Sequence, residues 1–400
     1  MTTPKGPLAG LRIIDLASVV LGPLATQILG DYGADVVKIE APEGDLIRSN
    51  GVARNPGMSA IHLAVNRNKR SIALDLKRPE GADVLRLLLR GADALVHNMR
   101  VEAIERLGFG YEAVRALKPD IVYCAATGFG QDGPDAARPA FDDVIQAGSG
   151  LVALSETYAE RPDFMPSLIA DKTVGLALAN AVLAALLHRA RTGEGQYAEV
   201  PMLETMAAFT LVEHMGGMGF EPPEGPAGYQ RILKGGRRPM RTTDGWLVVL
   251  PYTGDHWAAF LHEVGREDLV PAASDRTTRA ARISELYAVM ADAMTRRPSA
   301  DWLAVCDRLD IPATRVYGLD ELTEHPHLKA VGMFPEREHP TEGRIREVRP
   351  PTKFSRSPAD LRRPAPGLGE HSREVLAEAG FANEEIEALV ARGVVKDGRA

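Results

Sequence analysis

Cysteine is scarce in this sequence, and signals for export or membrane insertion are missing. Cys124 and Cys306 are the only cysteines in 400 residues, which does not indicate a disulfide framework and favours a reducing compartment. The start of the chain, MTTPKGPLAGLRIIDL, lacks the apolar stretch and small-residue cleavage site of a signal peptide. The longest uncharged apolar helical segment, 176–187, is shorter than the ~20 residues that span a bilayer. We therefore expect a cytoplasmic protein that does not contact membranes.

Residue patterns typical of metal, thiol-redox and serine-hydrolase sites are also missing. The sequence contains no C-x-x-C, H-E-x-x-H or G-x-S-x-G, so we expect no metal centre. The segment GFGQDG (128–133) matches G-x-G-x-x-G, but Pro134 follows it and argues against the helix that a dinucleotide site requires. We interpret this segment as a glycine-rich loop that a ligand can approach closely, in preference to a nicotinamide site.

The charge balance argues against nucleic acid as a partner. Lysine and arginine number 47 against 54 aspartates and glutamates, which leaves a net charge of −7, whereas phosphate binding requires a basic surface. Hydrophobic residues make up 45% and charged residues 25%. These ordinary globular values exclude a disordered chain and a coiled coil. A small anionic ligand is still compatible with this balance, because a few local arginines can hold one.

Strand-like and helix-like segments alternate in the first half of the sequence. The predicted strands are LRIIDL, DVVKIE, SIALDL, DALVH and DIVYCAAT. Strands separated by helices predict an α/β fold with a mainly parallel sheet covered on both faces. After a loop rich in glycine and proline (216–236), the strand WLVVLP and further helical segments predict a second, smaller α/β unit.

Asp171 stands directly before the apolar helical segment 176–187. Aspartate is among the preferred residues at a helix N-cap, and this structural interpretation is favoured by the sequence alone. A catalytic role is compatible with it. A helix N-terminus favours an ionised carboxylate, and apolar surroundings leave that carboxylate poorly solvated, which suits a nucleophile.

Basic residues recur near the ends of the predicted strands. They include Lys69 and Arg70 before SIALDL, Lys77 after it, and Arg100 and Arg106 after DALVH. In parallel α/β sheets the ligand crevice lies outside the carboxyl ends of the strands, where such a cluster can bind phosphates or a carboxylate. Taken singly, most of these side chains are interpreted as solvated surface charges.

Several segments in order along the chain resemble the class III CoA-transferases, the family of formyl-CoA and carnitine CoA-transferases and of the related α-methylacyl-CoA racemases. The matching segments are PLAGLRIIDL, GPLATQILGDYGADVVKIE, NRNKRSIALDLK, ADALVHNMR, ERLGFGYE, GFGQDGP, LIADKTVGLALANAVLAALLHRARTGEGQ and GLGEHSREVLAEAGF. The resemblance implies a Rossmann-like large domain with an inserted smaller α/β domain, in an interlocked homodimer. It implies the bounds 1–200 for the large domain, 201–229 for a linker, 230–325 for the small domain and 326–400 for a segment that returns to the large domain.

The resemblance also implies the site residues. Asp171 corresponds to the catalytic aspartate of the family. The positions that would contact CoA are Val20, Ala41, Leu74, Lys77, Asn98, Met99, Arg100, Arg106 and Arg138. The backbone N–H groups that stabilise the oxyanions are expected in the glycine-rich loop 128–133 or at Gly235 and Gly236.

Transferase and racemase differ at two informative positions. The racemases carry a proton-transferring histidine where this sequence has Phe141, and they carry a glutamate in the small domain that the segment 251–255 (PYTGD) lacks. The sequence therefore predicts an acyl-CoA:carboxylate CoA-transferase that works through an aspartyl intermediate. Its partners would be an acyl-CoA and a carboxylic acid acceptor, and no cofactor beyond CoA is implied. The alternatives are an α-methylacyl-CoA racemase or epimerase, a CoA-binding protein without catalysis, and a nicotinamide dehydrogenase, in that order.

Overall fold

A computed structural model describes residues 5–159, 161–233 and 236–398 of the chain. The chain forms two compact units. The first unit contains the residues up to Val152, the segment Phe164–Thr210 and the residues from Lys329 onward. The second unit contains Ala153–Asp163 and Leu211–Leu328. The first unit is therefore discontinuous in sequence.

The chain up to residue 214 contains the elements that build most of the first unit. They are β1 (Arg12–Asp15), α1 (Leu21–Asp31), β2 (Asp35–Glu40), α2 (Ala60–Asn66), β3 (Lys69–Leu74), α3 (Pro79–Arg90), β4 (Ala94–His97), α4 (Val101–Arg106), α5 (Tyr111–Leu117), β5 (Val122–Thr127), α6 (Asp142–Gly148), α7 (Leu151–Ala159), α8 (Ile169–Thr192), β6 (Gln196–Pro201) and α9 (Met202–His214). A 3-10 helix, Leu46–Ser49, lies between β2 and α2.

The second unit is mainly helical around a small sheet. Its elements are α10 (Gln230–Leu233), β7 (Met240–Arg241), β8 (Trp246–Val249), α11 (Gly254–Glu263), α12 (Val270–Ser274), α13 (Arg276–Ala281), α14 (Ile283–Met294), α15 (Ser299–Arg308) and β9 (Ala313–Arg315). β8 pairs antiparallel with both β7 and β9. Trp257, Phe260, Leu286 and Trp302 are buried together in its core, as a smaller α/β unit requires.

The last part of the chain returns to the first unit. Its elements are α16 (Pro326–Ala330), which spans the boundary between the units, β10 (Glu336–His339), β11 (Gly343–Arg346), α17 (Ser372–Glu378), α18 (Asn383–Ala391) and β12 (Val395–Lys396). β10 and β11 form an antiparallel pair, whereas β12 adds an antiparallel edge strand beside β3.

Within the described residues, the first unit contains a seven-stranded sheet in the order β12-β3-β2-β1-β4-β5-β6. All neighbouring pairs from β3 to β6 are parallel, which confirms the predicted mainly parallel α/β sheet. The strand order reverses between β1 and β4, where Ile13 pairs with Ala94. Connections leave this point in opposite directions, so a crevice opens at the carboxyl ends of these two strands.

The sheet is buried on both faces. Ile14, Leu95 and Tyr123 face one core together with Leu376 of the returning segment. The opposite face packs on α1 and α8. Strands covered on both sides are near-continuous apolar runs, which explains why the sequence pattern reveals most of them.

Two local predictions differ from the structure. The segment predicted as an apolar helix at 176–187 is the middle of α8, which has 24 residues. Among the described helices, α8 is long and apolar enough to cross a membrane by length and composition; Val174, Leu178 and Val182 on it are fully buried in the core. Lys69 and Arg70 lie inside β3, not before it, because their buried side chains form ion pairs, Lys69 with the buried Asp15 and Arg70 with the partly exposed Asp35.

Candidate active site

The crevice between β1 and β4 is held closed at its base by two reciprocal hydrogen bonds. The Ser18 N–H donates to Asn98 Oδ1 at 2.9 Å, and Asn98 Nδ2 donates to the Ser18 carbonyl at 2.9 Å. Above this link lies a cleft of about 270 Å³. Its lining includes Asp171 and four of the residues predicted to contact CoA, namely Asn98, Met99, Arg100 and Arg138. The fold thus brings these five side chains to one place.

Asp171 lies in the first turn of α8 but does not cap the helix. The N-cap residue is Leu168, which has no capping side chain, so the interpretation of Asp171 as the N-cap is wrong. The Asp171 N–H donates to Asp142 Oδ1 at 2.9 Å, and the buried Asp142 thereby satisfies an N–H group that the first turn leaves unpaired. The carboxylate of Asp171 has no hydrogen-bond partner among the described residues and faces the cleft.

The surroundings of Asp171 disfavour its ionised form. The pKa of Asp171 is raised to about 6, mainly by burial and in addition by the nearby carboxylates of Asp142 and Asp143. The helix N-terminus acts oppositely, by about 0.3–1 kcal/mol. The rise of the Asp171 pKa from 3.8 to about 6 corresponds to about 3 kcal/mol. Burial and charge repulsion therefore outweigh the effect of the helix N-terminus. Asp171 is ionised at neutral pH, yet it is weakly solvated and free of strong donors, as a nucleophilic carboxylate requires.

A chain of hydrogen bonds fixes the entry into α8. Gln146 Nε2 donates to Asp142 Oδ2 at 2.6 Å and to the Ser167 carbonyl at 3.1 Å. The Met165 N–H donates to Gln146 Oε1 at 3.0 Å. Sequence reasoning missed these positioning residues. Their spacing was the available signal, because Asp142 and Gln146 are four residues apart and therefore share one helix face.

The loop after β1 has a strained backbone at the cleft. Val19 has a φ of 68°, which a β-branched residue adopts only when its surroundings impose it. The Val19 N–H donates to both oxygens of Asp45, at 3.0 and 3.2 Å. Lys38, whose side chain is buried, donates to the Ala17 carbonyl at 2.7 Å and to Asp45 at 3.0 Å. A buried ion pair therefore holds one wall of the cleft.

A second buried ion pair lies behind this loop. Lys69 Nζ lies 2.9 Å from Asp15 Oδ2, and both side chains are fully buried. Lys69 Nζ also donates to Asn66 Oδ1 at 2.9 Å. Arg70 is engaged as well, with Asp35 on β2 and with carboxylates of α17. The suggestion that Lys69 and Arg70 belong to a ligand-binding cluster is therefore wrong.

The remaining predicted CoA contacts lie outside the cleft. Ala41 directly follows β2 and is exposed, Leu74 is the buried last residue of β3, and Lys77 follows it on the surface. Arg106 is exposed at the end of α4. Val20 is buried and lines a neighbouring cavity.

Two N–H groups of the glycine-rich loop 128–133 donate to glutamate side chains, and the Gly133 N–H donates to the Gly130 carbonyl at 3.1 Å. The Gly130 N–H donates to Glu204 Oε1 at 2.8 Å, and the Gln131 N–H donates to Glu199 Oε1 at 3.0 Å. These two groups cannot serve an oxyanion in this conformation. In the other candidate loop, Gly235 lies outside the described residues, and Gly236 has a φ of 71°. The loop 128–133 is followed by turns, and the next helix begins at Asp142.

Phe141 also lines the cleft beside Asp171, with 68% of its surface exposed. A phenyl ring carries no transferable proton, so a second acid–base group is absent from this position. In residues 5–159, 161–233 and 236–398, no three histidine, cysteine, aspartate or glutamate side chains are grouped so as to hold a metal ion.

Curated relatives match the chain over nearly its whole length. It is 33% identical over 390 residues to a succinate–glutarate CoA-transferase from Agrobacterium fabrum, covering 94% of this chain and 97% of the relative. It is 30% identical to a formyl-CoA:oxalate CoA-transferase from Escherichia coli O157:H7, covering 96% and 98%. It is also 30% identical to a probable fatty acyl-CoA transferase from Mycobacterium tuberculosis, covering 94% and 99%.

Solved structures show the same fold. A CAIB/BAIF family protein from Brucella suis superposes with a TM-score of 0.80 at 28% identity, covering 94% of this chain and all of that chain. The model of CoA-transferase family III matches residues 8–372. Together with the cleft at the carboxyl edge of the sheet, these matches show that the chain is an enzyme that belongs to CoA-transferase family III.

Proposed function

We propose that this enzyme transfers CoA from an acyl-CoA to a carboxylic acid with Asp171 as the nucleophile. The observation that carries this proposal is the position of Asp171. Its weakly solvated carboxylate, with a pKa raised to about 6 chiefly by burial, opens into the cleft that Arg100 and Arg138 also line. The cleft thus combines a nucleophile with cations suited to the phosphates of CoA.

The first half of the reaction releases the donor acid. An oxygen of Asp171 attacks the thioester carbonyl carbon, the C–S bond breaks, and CoA leaves as a thiolate with the bonding electron pair. The product on the enzyme is a mixed anhydride. The thiolate then attacks the Asp171 carbonyl carbon, which gives an aspartyl-CoA thioester and the free carboxylate of the donor.

The second half runs the same steps in reverse with the acceptor. The acceptor carboxylate attacks the aspartyl thioester and displaces the thiolate, and the thiolate attacks the acceptor carbonyl to release the new acyl-CoA and the Asp171 carboxylate. Every bond broken is replaced by one of similar energy, and no net proton is moved. The proposal therefore needs no cofactor beyond CoA.

The CoA would lie along the carboxyl edge of the sheet. Arg100 is the N-cap residue of α4, three residues after the end of β4, and Arg138 lies in the loop after β5. Arg138 is exposed and lies 3.1 Å from Asp135, a surface pair too weak to prevent it from turning to a phosphate. The outer contacts would come from Val20, Ala41, Leu74, Lys77 and Arg106, with Asn98 and Met99 at the base.

We include a homodimer and a cytoplasmic location in the proposal. Support for the dimer comes from large apolar side chains exposed in and after α9, which are typical of an interface: Phe209, Val212, Met218 and Phe220. The interlocked arrangement of the family, with oxyanion donors from a glycine-rich loop, is part of this proposal. Two unpaired, buried cysteines suit a reducing cytoplasm.

Replacement of Asp171 tests the nucleophile. Asp171→Asn should abolish exchange between succinyl-CoA and labelled glutarate, since an amide does not attack a thioester, while CoA binding measured by calorimetry stays within about threefold. Asp143→Asn, which alters an exposed neighbour, should retain exchange at about pH 8. Hydroxylamine added during turnover should attack the activated Asp171 carbonyl, displace the donor carboxylate or the CoA thiolate, and leave a hydroxamate at Asp171 that mass spectrometry detects. Normal exchange by Asp171→Asn would show that another group is the nucleophile.

A racemase is disfavoured by Phe141, and a simple measurement separates the two reactions. With a 2-methylacyl-CoA in deuterium oxide, a racemase incorporates deuterium at the α-carbon, whereas the proposed mechanism breaks no C–H bond. We expect no deuterium incorporation. A CoA-binding protein without catalysis would bind CoA but show no acyl exchange in the preceding experiment.

A further inference from the structure

Asp142 is a buried carboxylate without a cationic partner. Only 4% of its surface is exposed. In the described part of the chain, its hydrogen-bond partners are an amide side chain and a backbone N–H group, and neither is a cation. Buried charges in proteins are normally paired with an opposite charge or bound to a metal ion. The unpaired charge of Asp142 is therefore an exception that stability alone does not explain.

Both oxygens of Asp142 accept a hydrogen bond. The Asp171 N–H donates to Oδ1 at 2.9 Å, and Gln146 Nε2 donates to Oδ2 at 2.6 Å. Hydrogen bonds that are donated to a carboxyl group favour its ionised form. Because both donors are neutral, they stabilise the negative charge of Asp142 but do not cancel it.

Gln146 fixes the direction in which this carboxylate points. Only 1% of Gln146 is exposed. Its Nε2 also donates to the Ser167 carbonyl at 3.1 Å, and its Oε1 accepts from the Met165 N–H at 3.0 Å. Rotation of the Asp142 side chain would break its hydrogen bonds to Gln146 and to Asp171. The carboxylate of Asp142 is therefore held beside the start of α8.

The charge of Asp142 acts on the carboxyl group of Asp171. The Asp171 N–H that contacts Asp142 is separated from the Asp171 carboxyl group by only the Cα and Cβ atoms, so the two carboxyl groups are neighbours. Asp143, the next residue on α6, is exposed and adds a second negative charge. Both charges raise the pKa of Asp171.

The cations near Asp171 do not offset this repulsion. Arg100 and Arg138 line the same cleft, but Arg138 pairs with Asp135. Lys172 donates to a neutral hydroxyl group. Among the described residues, no cation lowers the pKa of Asp171. The ionised form of Asp171 is thus repelled by its neighbours and is not stabilised by an ion pair.

Formation of a thioester at Asp171 removes the charge that Asp142 repels. In the proposed first half-reaction, ionised Asp171 and an acyl-CoA give the aspartyl-CoA thioester and the donor carboxylate. One C–S bond breaks, one C–S bond forms, and the negative charge leaves the cleft with the donor acid. The thioester is neutral, as is the protonated carboxyl group of Asp171. A neighbouring charge that favours the protonated form therefore favours the thioester by a similar free energy.

We propose that Asp142, fixed by Gln146, shifts the enzyme from the free Asp171 carboxylate toward the aspartyl-CoA thioester. The inference rests on the proposed function, because it requires a covalent bond at Asp171. Asp142 is a positioning residue that acts through Asp171 and touches no reacting atom. Its charge increases the fraction of enzyme that holds CoA covalently and is ready for the acceptor acid.

The equilibrium constant for thioester formation tests the inference. Each enzyme is mixed at about pH 8, where Asp171 is ionised, with succinyl-CoA and succinate in several ratios. After an acid quench, mass spectrometry of the intact chain measures the fraction that carries CoA. Asp142→Asn should lower the constant by about three- to thirtyfold. The acid dissociation constant of Asp171, taken from the acid limb of kcat/KM for exchange, should rise by the same factor within about threefold.

The outcomes separate the inference from the proposed function. An equilibrium constant that Asp142→Asn leaves unchanged within about twofold overturns the inference, and the proposed function stays intact. An original enzyme that neither carries CoA nor exchanges succinate overturns both. A slower reaction alone does not imitate the expected result, because an equilibrium constant does not depend on the rates at which equilibrium is reached.

A pair of charge reversals tests the same effect without a change at the buried position. Asp143 and Glu384 are both exposed acidic residues in the first turn of a helix, α6 and α18 respectively. Asp143→Lys should lower the equilibrium constant at least threefold, and less in 1 M sodium chloride, which screens exposed charges. Glu384→Lys should leave it unchanged within about 1.5-fold. Equal constants in these two variants overturn the inference, even if Asp142→Asn does not fold.

Discussion

Asp171 shows how two local effects compete at one residue. The first turn of a helix favours its carboxylate, but burial and two neighbouring carboxylates disfavour it more, and the pKa rises to about 6. Asp171 therefore lowers the free energy of unfolding at neutral pH, where its carboxyl group is ionised.

The unfavourable ionisation of Asp171 should make the free energy of unfolding depend on pH. Its pKa is about 6 in the folded chain and near 3.8 in the unfolded chain, so the folded state holds the extra proton between these values and stability falls as pH rises through them. Asp171→Asn removes this loss. The free energy of unfolding of the variant relative to the original should increase by about 1–3 kcal/mol from pH 4 to pH 7. Urea unfolding at several pH values measures it, and a constant difference contradicts the assignment.

The Lys69–Asp15 pair supports the loop after β1 from below. Lys69→Met leaves the fully buried Asp15 carboxylate without its charged partner and should lower the free energy of unfolding by about 3–5 kcal/mol. Arg86→Met is the control, since Arg86 pairs with Asp83 on the surface and should cost less than about 1 kcal/mol. Equal losses in chemical denaturation would show that the buried pair has no special role.

At the scale of elements, α6 serves as the cap of α8. Leu168 provides no capping side chain, and Asp142 from α6 accepts the Asp171 N–H instead. One carboxylate therefore both completes the helix terminus and helps raise the pKa of Asp171. This contact joins elements that a residue-by-residue reading of the sequence treats separately.

Asp142→Asn separates these two roles. The amide oxygen can still accept the Asp171 N–H, but the negative charge that helps raise the pKa of Asp171 is gone. The acid limb of the kcat/KM profile for acyl exchange, expected near pH 6, should therefore move to lower pH. Asp143→Asn should move it less, because Asp143 is exposed and its charge is screened by water and salt. If the acid limb of the kcat/KM profile stays at the same pH in Asp142→Asn, a group other than Asp171 determines that limb.

The accuracy of element prediction depended on burial. DVVKIE is the strand β2 as predicted, because its apolar run is covered on both faces. The bounds of β3 were shifted by Lys69 and Arg70, whose charges indicate a loop in the sequence but whose side chains are held in ion pairs in the fold. β6 and β12 were not predicted, since β6 is only partly buried and β12 is a two-residue edge strand that pairing alone defines.

At the scale of the whole molecule, the returning segment completes the first unit. Val375, Leu376, Ile386 and Leu389 of this segment lie in the same core as β1 and β4, and β12 pairs with β3. Arg70 adds ion pairs to Glu374 and Glu378. The start and the end of the chain are therefore parts of one folding unit.

Leu376→Ala tests this dependence. Leu376 is fully buried, so its truncation leaves a cavity in the core and should lower the free energy of unfolding of the first unit by about 2–5 kcal/mol. Leu319→Ala is the matched control, because Leu319 is 89% exposed and its change should be within about 0.5 kcal/mol. Chemical denaturation followed by circular dichroism measures both, and similar small losses would contradict a shared core.

The sequence by itself determined the α/β class and the mainly parallel sheet from apolar periodicity, and the family from a distinctive set of motifs, because both are local properties of the chain. Only the tertiary structure decided which side chains meet. In the structure, Asp171 lines the same cleft as Arg100 and Arg138, and Lys69 forms an ion pair with Asp15. The side chains of Glu199 and Glu204 accept hydrogen bonds from the loop 128–133. The physical reason is that strand order and burial determine which charged side chains form ion pairs. Neither property can be read from the spacing of residues along the chain.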